Sequence, residues 1–531
     1  MKNNIFLHPL LPSAWDAITV TVCCAAILLL EALFSAGGGF HVETVGYIPH
    51  YLNLAGKPLG AIIFDPVSTD LGNYQARELS YLVDLWDVRF LAWSAKLGAV
   101  HFYSFSQWFL MVLTVLVQQY GTRKLFPQLP GYFATLFSLA FVLLPCVSAN
   151  MYFRSAKHGT AFLFTLIVYL TIYLFRKTCI KNAPGAFAGL AAALVLAPFF
   201  DRQALFFVSL YTVGTGLLLS AQKKFSLPVQ PLAGAGIAGI CACLFAALYN
   251  LFIAPALIQY WNGYTPSFAM QNMPPAFQSE TILNGAEFLF ANLGYLLNRG
   301  NGFAALSVGI IFAILIFSGA VASAQKTGKW LFPLIVLHTG GACLVCSIAM
   351  YAKHPAILET RTYYFLPMCA LLFPFFVFLA DSLRVFQWKI NPVLILLALM
   401  LILSSARIDL ASSIEASTQA GVRVEHIQNF ARSAEMDVQL LSADDPAYQQ
   451  IANVLSGLTC VKRFNQRYSS YSHEYPVDSV TVSYYDDAEN NNLLFTVYSD
   501  GTAIVNSQFV KIKTPKGGAE EVYRQLAEMV K

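Results

Sequence analysis

The sequence predicts an all-α bundle of membrane-spanning helices, followed by a small α+β domain outside the membrane. Apolar stretches of about twenty residues, the length that crosses a bilayer as a helix, recur between Ala14 and Arg407. The chain of 531 residues is 57% hydrophobic and 12% charged, which is too apolar for a soluble protein. After Arg407 the composition becomes polar, and strand-like alternation appears.

The apolar stretches predict about eleven transmembrane helices. The first has no small-residue cleavage site followed by a soluble domain, so we expect a retained helix and not a signal peptide. The expected spans are residues 14–36, 102–121, 131–150, 159–175, 184–200, 203–221, 232–253, 303–324, 330–352, 362–384 and 391–408.

The loops between these spans alternate in charge, which predicts the topology. Every second loop is short, and its charged residues are almost all Lys and Arg. This is the pattern expected for loops on the cytoplasmic side. We therefore expect a multi-pass protein of the cytoplasmic (inner) membrane, with a cytoplasmic N-terminus and an extracytoplasmic tail. The basic residues of these loops are Arg123, Lys124, Arg176, Lys177, Lys181, Lys223, Lys224, Lys326, Lys329, Arg384 and Lys389.

Two outer segments are longer than simple connections. In the first outer loop, 37–101, apolar residues at helical spacing predict an amphipathic helix in the membrane interface, with Asp84 away from the apolar stripe. The segment 254–301 is rich in turn-forming residues and includes Pro274-Pro275, which predicts a partly ordered outer loop. The apolar stripe of the first loop consists of Leu79, Leu82, Val83, Trp86, Phe90, Trp93 and Leu97.

The chain is expected to divide into a transmembrane domain, 1–408, a linker helix, 409–436, and an extracytoplasmic α+β domain, 437–531. Side chains alternate with the two-residue period of a strand at 480–485, 493–498 and 502–506. An amphipathic helix is expected after them, at 520–530. No metal-ligand spacing, phosphate loop or nucleophile motif occurs in this tail, so we expect a structural or partner-docking role for it.

Ionisable residues cluster in the outer loops. Because such groups are costly near a bilayer, their clustering on one side predicts a site there. An acid near several cations suits an enzyme that deprotonates an acceptor while it stabilises a departing phosphate. The acids are Asp65, Asp70, Glu78, Asp84 and Asp87, and the later basic residues are Arg154, Lys157, His158, Arg202, Arg299, Lys353, His354 and Arg361.

Two motifs add a resemblance to a known superfamily. The segment Asp70-Leu-Gly-Asn-Tyr-Gln-Ala-Arg-Glu-Leu resembles the first-loop signature of GT-C glycosyltransferases, in which an acid and a Tyr precede an amphipathic helix. Thr360-Arg-Thr-Tyr-Tyr-Phe-Leu-Pro is similar to the Arg-Tyr and Leu-Pro entry into a late helix of these enzymes. Protein O-mannosyltransferases and bacterial lipid A aminoarabinose transferases share this layout. The resemblance covers residues 14–408.

The resemblance implies a membrane glycosyltransferase that moves a sugar from a polyprenyl-phosphate donor to a glycan, lipid or protein acceptor on the outer face. Asp70 would be the general base, with Glu78 as the second candidate. Membrane lipids are further expected partners, and the small net charge of +4 gives no reason to expect nucleic acid. The donor phosphate would be bound by Arg154, Lys157, His158, Arg202, Lys353 and Arg361, and the acceptor or sugar by Tyr74, Arg77, Asp201, Arg299 and Tyr363.

The resemblance implies a lipid-phosphate donor, so no nucleotide site is needed. A divalent cation stays open as a cofactor, because some relatives in the superfamily use one. The spacing of His158 and His354 does not favour either as a metal ligand, because neither has a paired acid or His. Cys343 and Cys346 have CxxC spacing inside an apolar helix, where packing is the expected role.

Each candidate residue also has an ordinary structural interpretation. Asp70 could cap a helix, and Arg77 with Glu78 could be polar-face residues of the interfacial helix. The basic segment 154–158 could anchor lipid headgroups, and Asp201 with Arg202 could neutralise each other in a turn.

Two other functions remain open. In a transporter or flippase of a polyprenyl-linked or anionic substrate, the same cations would line the translocation path of the substrate. A glycan polymerase or ligase would share the chemistry of the transferase.

Overall fold

The structure is a computed structural model of the chain. It describes residues 14–36, 57–64, 77–96, 105–129, 131–148, 156–262, 278–295, 302–353, 361–385, 407, 411, 460–463, 479–486, 491–498, 502–505 and 508–511. Most of the described residues are helical. The helices are α1 (Ala14–Ala36), α2 (Leu59–Ile63), α3 (Glu78–Lys96), α4 (Phe105–Leu125), α5 (Gly131–Leu143), α6 (Pro145–Ser148), α7 (Ala156–Phe175), α8 (Pro184–Leu196), α9 (Arg202–Ser220), α10 (Gln222–Phe225), α11 (Val229–Leu248), α12 (Ala254–Asn262), α13 (Ser279–Tyr295), α14 (Gly302–Thr327), α15 (Leu331–Lys353), α16 (Arg361–Leu372) and α17 (Pro374–Val385).

Long apolar helices confirm that the protein is a helical membrane protein. Among the described residues, six helical segments are long and apolar enough to cross a bilayer, and shorter apolar segments occur at Ala17–Leu30, Tyr132–Leu143 and Pro184–Phe199. The total of eleven spans stays a prediction, because α4, at the expected span 102–121, is not among the apolar segments, and the span at 391–408 falls outside the described residues except for Arg407. The six segments are Ala156–Phe175, Gln203–Ser220, Val229–Trp261, Phe303–Thr327, Leu331–Ala352 and Tyr364–Asp381.

Several helix ends follow directly from the local sequence. Pro184 is the first residue of α8, where its missing N–H costs nothing. Asp201 precedes α9 in an extended conformation, and its side chain accepts a hydrogen bond from the backbone N–H of Gln203. The last candidate span is divided at Phe373, because Pro374 has no N–H to continue the helical hydrogen bonds.

The chain divides into two compact units. Unit 1 comprises Met1–Leu33, Ser104–Ala247 and Asn272–Ser413, and unit 2 comprises Phe34–Tyr103, Leu248–Gln271 and Ile414–Lys531. The domain boundaries expected from the sequence, at 408 and 436, stay predictions.

In unit 1, α13 packs against both α14 and α15. A Cβ built on Gly294 of α13 would lie 1.6 Å from the carbonyl oxygen of Ala305, and one on Gly309 of α14 would lie 1.8 Å from that of Phe290. The two backbones are therefore in direct contact. The partly ordered loop expected for 254–301 thus contains α12 and α13, and α13 buries Phe288.

At the C-terminal end of α7, a cation joins three elements of unit 1. The guanidinium of Arg176 lies 4.9 Å from the ring centroid of Phe126 and 5.9 Å from that of Phe378 on α17. It also donates a hydrogen bond to the carbonyl oxygen of Leu125 at the end of α4. This arrangement, called the Arg176 stack below, ties α17 to the ends of α4 and α7.

In unit 2, α2 packs against α12 at Gly60, where a Cβ would come within 2.2 Å of the Trp261 ring. Phe64 and Tyr249 pack against the buried Ala254 and Ile258. Residues Tyr249–Ile253 form a π-helical turn between α11 and α12. The described part of this unit that precedes residue 272 therefore has a small apolar core of its own.

Helix α3 of unit 2 turns its acids inward. Asp84 and Asp87 are buried, whereas Trp86 is 61% exposed. The polar side of the helix thus faces protein, and the predicted apolar stripe is left partly uncovered, as an interfacial helix requires. The position of α3 in the membrane interface stays a prediction.

The tail contributes five strands: β1 (Cys460–Arg463), β2 (Ser479–Asp486), β3 (Asn491–Tyr498), β4 (Thr502–Val505) and β5 (Gln508–Lys511). They form one antiparallel sheet in the order β1-β2-β3-β4-β5, with Val480 opposite Val497 and Thr496 opposite Ile504. The segments with strand period in the sequence lie in β2, β3 and β4, apart from residue 506, which falls outside the described residues. The predicted linker at 409–436, apart from residue 411, and the predicted helix at 520–530 lie outside the described residues.

Candidate functional site

A buried polar cluster in unit 1 lies where three helices begin. Lys157 is the second residue of α7, Asp201 caps α9, and Tyr364 is the fourth residue of α16. Gln203, in the first turn of α9, completes the cluster, which is called the Lys157 cluster below. Three helix N-termini therefore meet around one cation.

Lys157 is held from three sides. Its Nζ forms an ion pair with Oδ2 of Asp201 and donates a hydrogen bond of 3.2 Å to Oε1 of Gln203. The same Nζ lies 4.6 Å from the centroid of the Tyr364 ring, within the range of a cation–π contact. Because Lys157 and Asp201 are both buried, this ion pair is shielded from water and from salt.

Asp201 has two roles that use different oxygens. Oδ1 accepts the backbone N–H of Gln203 at 3.0 Å, and Oδ2 pairs with Lys157. Pro198, in the 3₁₀ turn Ala197–Phe199, ends the preceding helix, so Asp201 is free to adopt the extended conformation of an N-cap. The sequence left open a turn pair of Asp201 with Arg202, and the structure pairs Asp201 with Lys157.

Gln203 and Tyr364 link the helices around this pair. The Gln203 side-chain amide donates a hydrogen bond to the carbonyl oxygen of Tyr364 at 3.3 Å, while its oxygen accepts from Lys157. The neighbouring His158 is also buried, and Gly159 lies against the Phe200 ring, where a Cβ would come within 2.3 Å. A side chain at position 159 would force the Phe200 ring to move away from α7.

The electrostatics of this end of unit 1 favour an anion. The N-terminal turns of α7, α9 and α16 each supply backbone N–H groups and the positive end of a helix dipole. Arg202 and Arg361 are the first residues of α9 and α16, so the backbone places two further cations at these N-termini. Lys157 is neutralised by Asp201, whereas the dipoles add positive potential.

The remaining residues expected to bind the donor or the acceptor are described only in part. Lys353 is the last residue of α15, and Tyr363 is the third residue of α16. The side chains of Arg202, Lys353, Arg361 and Tyr363 are not among the described ones. Asp70, Tyr74, Arg154 and Arg299 lie outside the described residues.

Glu78 and Arg77 lie in unit 2. Oε1 of Glu78 accepts a hydrogen bond of 3.0 Å from the Tyr249 hydroxyl. Burial raises the pKa of Glu78 to about 7, although the hydrogen bonds from its own backbone N–H and from Tyr249 act in the opposite direction. Nε of Arg77 lies 3.5 Å from the Tyr81 hydroxyl, and its guanidinium lies 5.8 Å from the centroid of that ring.

Sequence reasoning missed Gln203, Tyr364 and Tyr249. Gln203 and Tyr364 are neutral, so a search for charged residues passes over them. The sequence still held a weak indication of both residues. Tyr364 occurs in the Thr360–Pro367 motif, and Gln203 stands at the N2 position after the capping Asp201.

A metal is not indicated by the described residues. No group of three His, Cys, Asp or Glu side chains that could hold a metal ion occurs among them.

Comparison of the chain with protein-family models, with curated proteins and with solved structures finds no match.

Proposed function

We propose that the chain is an integral-membrane glycosyltransferase that takes a sugar from a polyprenyl-phosphate donor and passes it to an acceptor on the outer face of the cytoplasmic membrane. The observation that supports this most directly is the Lys157 cluster, in which three helix N-termini and a fixed cation meet at the end of a membrane bundle. The first-loop and late-helix motifs of the sequence add the resemblance to GT-C enzymes.

The reaction requires charge to be stabilised on a leaving group. The bond between the sugar C1 and the phosphate oxygen breaks, and its electron pair stays on the phosphate. The acceptor oxygen forms the new bond to C1 and loses its proton to a base. Arg202 and Arg361, together with the helix N-termini, would stabilise the negative charge on the departing phosphate. Lys157, whose charge Asp201 compensates, would donate a hydrogen bond to the phosphate.

Lys157 needs little rearrangement for this role. Asp201 and Gln203 already fix its ammonium group, so the side chain does not have to be ordered when the phosphate binds.

Asp70 is the first candidate for the general base. Glu78 is the second candidate, and its pKa of about 7 is suited to a general base at neutral pH.

The proposal includes a topology. The chain would cross the membrane about eleven times, with α7, α9 and α16 all beginning on the outer side. The Lys157 cluster would then lie at the outer end of the bundle. The strands of the tail would belong to an extracytoplasmic α+β domain.

Phosphate binding can be measured without knowing the sugar. Purified protein in nanodiscs should bind farnesyl phosphate more tightly than farnesol, because only the former has the anionic group. Arg361→Gln should weaken farnesyl phosphate binding roughly tenfold or more, as expected for loss of one charge-assisted contact, and should leave farnesol binding unchanged. Lys224→Gln, in a basic loop on the opposite side of the predicted topology, is the matched control. Equal affinity of the wild type for both compounds would contradict the proposal.

Turnover separates an enzyme from a carrier. The purified protein should release sugar from a polyprenyl-phosphate donor, whereas a transporter or flippase would move the donor intact. Asp70→Asn keeps the capping ability of the residue and removes its basicity, so transfer should fall to roughly a hundredth or less. A folded Asp70→Asn protein with near-normal turnover would transfer the role to Glu78, which Glu78→Gln would then test.

A further inference from the structure

Glu78 and Tyr249 form a second polar arrangement, which lies within unit 2. Glu78 is the first residue of α3, and Tyr249 is the first residue of the π-helical turn that follows α11. The Tyr249 hydroxyl donates a hydrogen bond of 3.0 Å to Oε1 of the Glu78 carboxyl. This hydrogen bond joins residues that are 171 positions apart in sequence.

The other carboxyl oxygen lacks a partner among the described residues. Oε2 of Glu78 is shielded from solvent and makes no hydrogen bond there. A buried carboxylate oxygen needs a donor, and a protonated one needs an acceptor, so an unsatisfied Oε2 has a free-energy cost in either state. The natural partner for this atom is a group that can both donate and accept, such as a water molecule or a ligand hydroxyl.

Tyr249 is well suited to fix the position of the carboxyl. Its ring packs against the small apolar core formed by Ala254 and Ile258, so the hydroxyl has little freedom. The π-helical turn is itself unusual, because such turns are rare and frequently occur at functional sites. Tyr249 thus holds Oε1 and leaves Oε2 for another group.

The neighbouring elements carry other titratable groups, of which Asp84 and Asp87 are buried. Arg77 lies over Tyr81, and Asp84 and Asp87 follow on α3. Helix α2 has no ionisable side chain, and α12 has only Tyr260, which is 77% exposed. Tyr249 is the titratable group with a hydrogen bond to the Glu78 carboxyl.

We propose that Glu78 and Tyr249 form a proton-exchange site, in which Tyr249 positions the carboxyl and Oε2 exchanges a proton with water or with the hydroxyl of a bound ligand. When Oε2 takes the proton, the electron pair of the broken O–H bond stays on the water or ligand oxygen. The reverse transfer restores the carboxylate. Tyr249 is a positioning residue and is not itself protonated or deprotonated.

The proton exchange does not depend on the function proposed above. Only the identification of the ligand hydroxyl with a glycosyl acceptor rests on that function. Burial raises the pKa of Glu78 to about 7, against the opposing effect of its hydrogen bonds. A carboxyl with this pKa gains and loses its proton near neutral pH, in agreement with the proposed exchange.

Dicyclohexylcarbodiimide provides a direct test, because it reacts with protonated carboxyls in apolar surroundings. Membranes that contain the full chain are treated between pH 5 and pH 9, and modification of Glu78 is quantified by peptide mass spectrometry. Wild-type protein should be modified at low pH, with a midpoint near 7. Tyr249→Phe removes a hydrogen bond that favours the ionised form, so its midpoint should rise by about one pH unit or more.

Two controls make the outcomes decisive. Tyr260→Phe changes an exposed tyrosine of α12 and should keep the wild-type midpoint, and Glu78→Gln should abolish modification at this position. Modification of the wild type that does not change with pH, or does not occur at Glu78, would overturn proton exchange. A Tyr249→Phe midpoint equal to that of the wild type would overturn the role of Tyr249.

The same variants distinguish this inference from the transferase proposal. If the wild type transfers sugar, Tyr249→Phe should move the acidic limb of its pH–rate profile upward by the shift seen in labelling. If the wild type transfers no sugar, the function proposed above fails, while the carbodiimide result still decides whether Glu78 exchanges a proton.

Discussion

Lys157 and Asp201 form a buried ion pair that joins the first turn of α7 to the N-cap of α9, across 44 residues of sequence. Two opposite charges buried together are stable only as a pair, because either one alone would lack compensation. The pair therefore couples the beginnings of two candidate membrane helices.

Removing one partner of this pair should be more damaging than removing both. Asp201→Asn keeps the N-cap but leaves Lys157 uncompensated, so it should lower the free energy of unfolding by about 3–5 kcal/mol, and Lys157→Met should cost a similar amount. The double variant should recover most of this loss. Thermal unfolding in detergent measures the effect, with Lys223→Met, in an exposed basic loop, as the control. Additive losses in the double variant would contradict the coupling.

The contact between α13 and α14 should tolerate no side chain at Gly294. Gly294→Ala would place a methyl group 1.6 Å from the Ala305 carbonyl oxygen, so the helices would have to separate, at a cost of about 1–3 kcal/mol. Gly340→Ala is the matched control, because a Cβ there has no heavy atom within 4 Å. It should be neutral or stabilising by up to about 1 kcal/mol. Equal melting temperatures for the two variants would argue against the backbone contact.

The stability of the protein should depend on the protonation of Glu78. Its pKa is about 7 in the folded protein, above the ordinary value of 4.5, so the folded state binds the proton more tightly than the unfolded state. This contribution, at most about 3 kcal/mol, is complete below pH 4.5 and is lost as the pH rises through 7. The melting temperature of the wild type should therefore fall, relative to that of Glu78→Gln, between pH 5 and pH 8. Parallel curves for the two proteins would exclude this linkage.

The predicted topology can be checked by labelling in intact cells or spheroplasts. In a Cys460→Ser background, Ser472→Cys should react with a membrane-impermeant thiol reagent, because the tail is expected outside. Lys223→Cys, in a basic loop expected inside, should react only after lysis. The opposite pattern would invert the orientation of the whole bundle.

Long apolar helices were the part of the fold that the sequence predicted best. The spans expected at 159–175, 203–221 and 330–352 correspond to α7, α9 and α15 within a few residues. Such helices are set by local composition, because a segment that crosses the bilayer must be predominantly apolar over about twenty residues. Helix α13 was missed because it is 17 residues long and follows a segment rich in turn-forming residues.

The two charged residues of the Lys157 cluster were expected in a site from the sequence, but their pairing and the neutral Gln203 and Tyr364 were not. Both Lys157 and Asp201 were expected in a site, one for the donor phosphate and the other for the acceptor or sugar, and the structure brings them into contact. A pairing across 44 residues depends on how α7 and α9 pack, which no local pattern contains. The Glu78–Tyr249 contact was hidden for a further reason, because a π-helical turn changes which residues share a face of the helix.

The division of the last candidate span at Phe373 has a mechanical consequence. α16, on one side of the break, is held to the beginning of α7 by the contact of Tyr364 with Lys157. α17, on the other side, is held to the end of α7 by the Arg176 stack. Pro367 within α16 and Pro374 at the start of α17 both lack a backbone N–H, so two helical hydrogen bonds are missing between these anchors. We therefore expect a tilt of one half of the span to be taken up between Pro367 and Pro374, with little displacement of the other half.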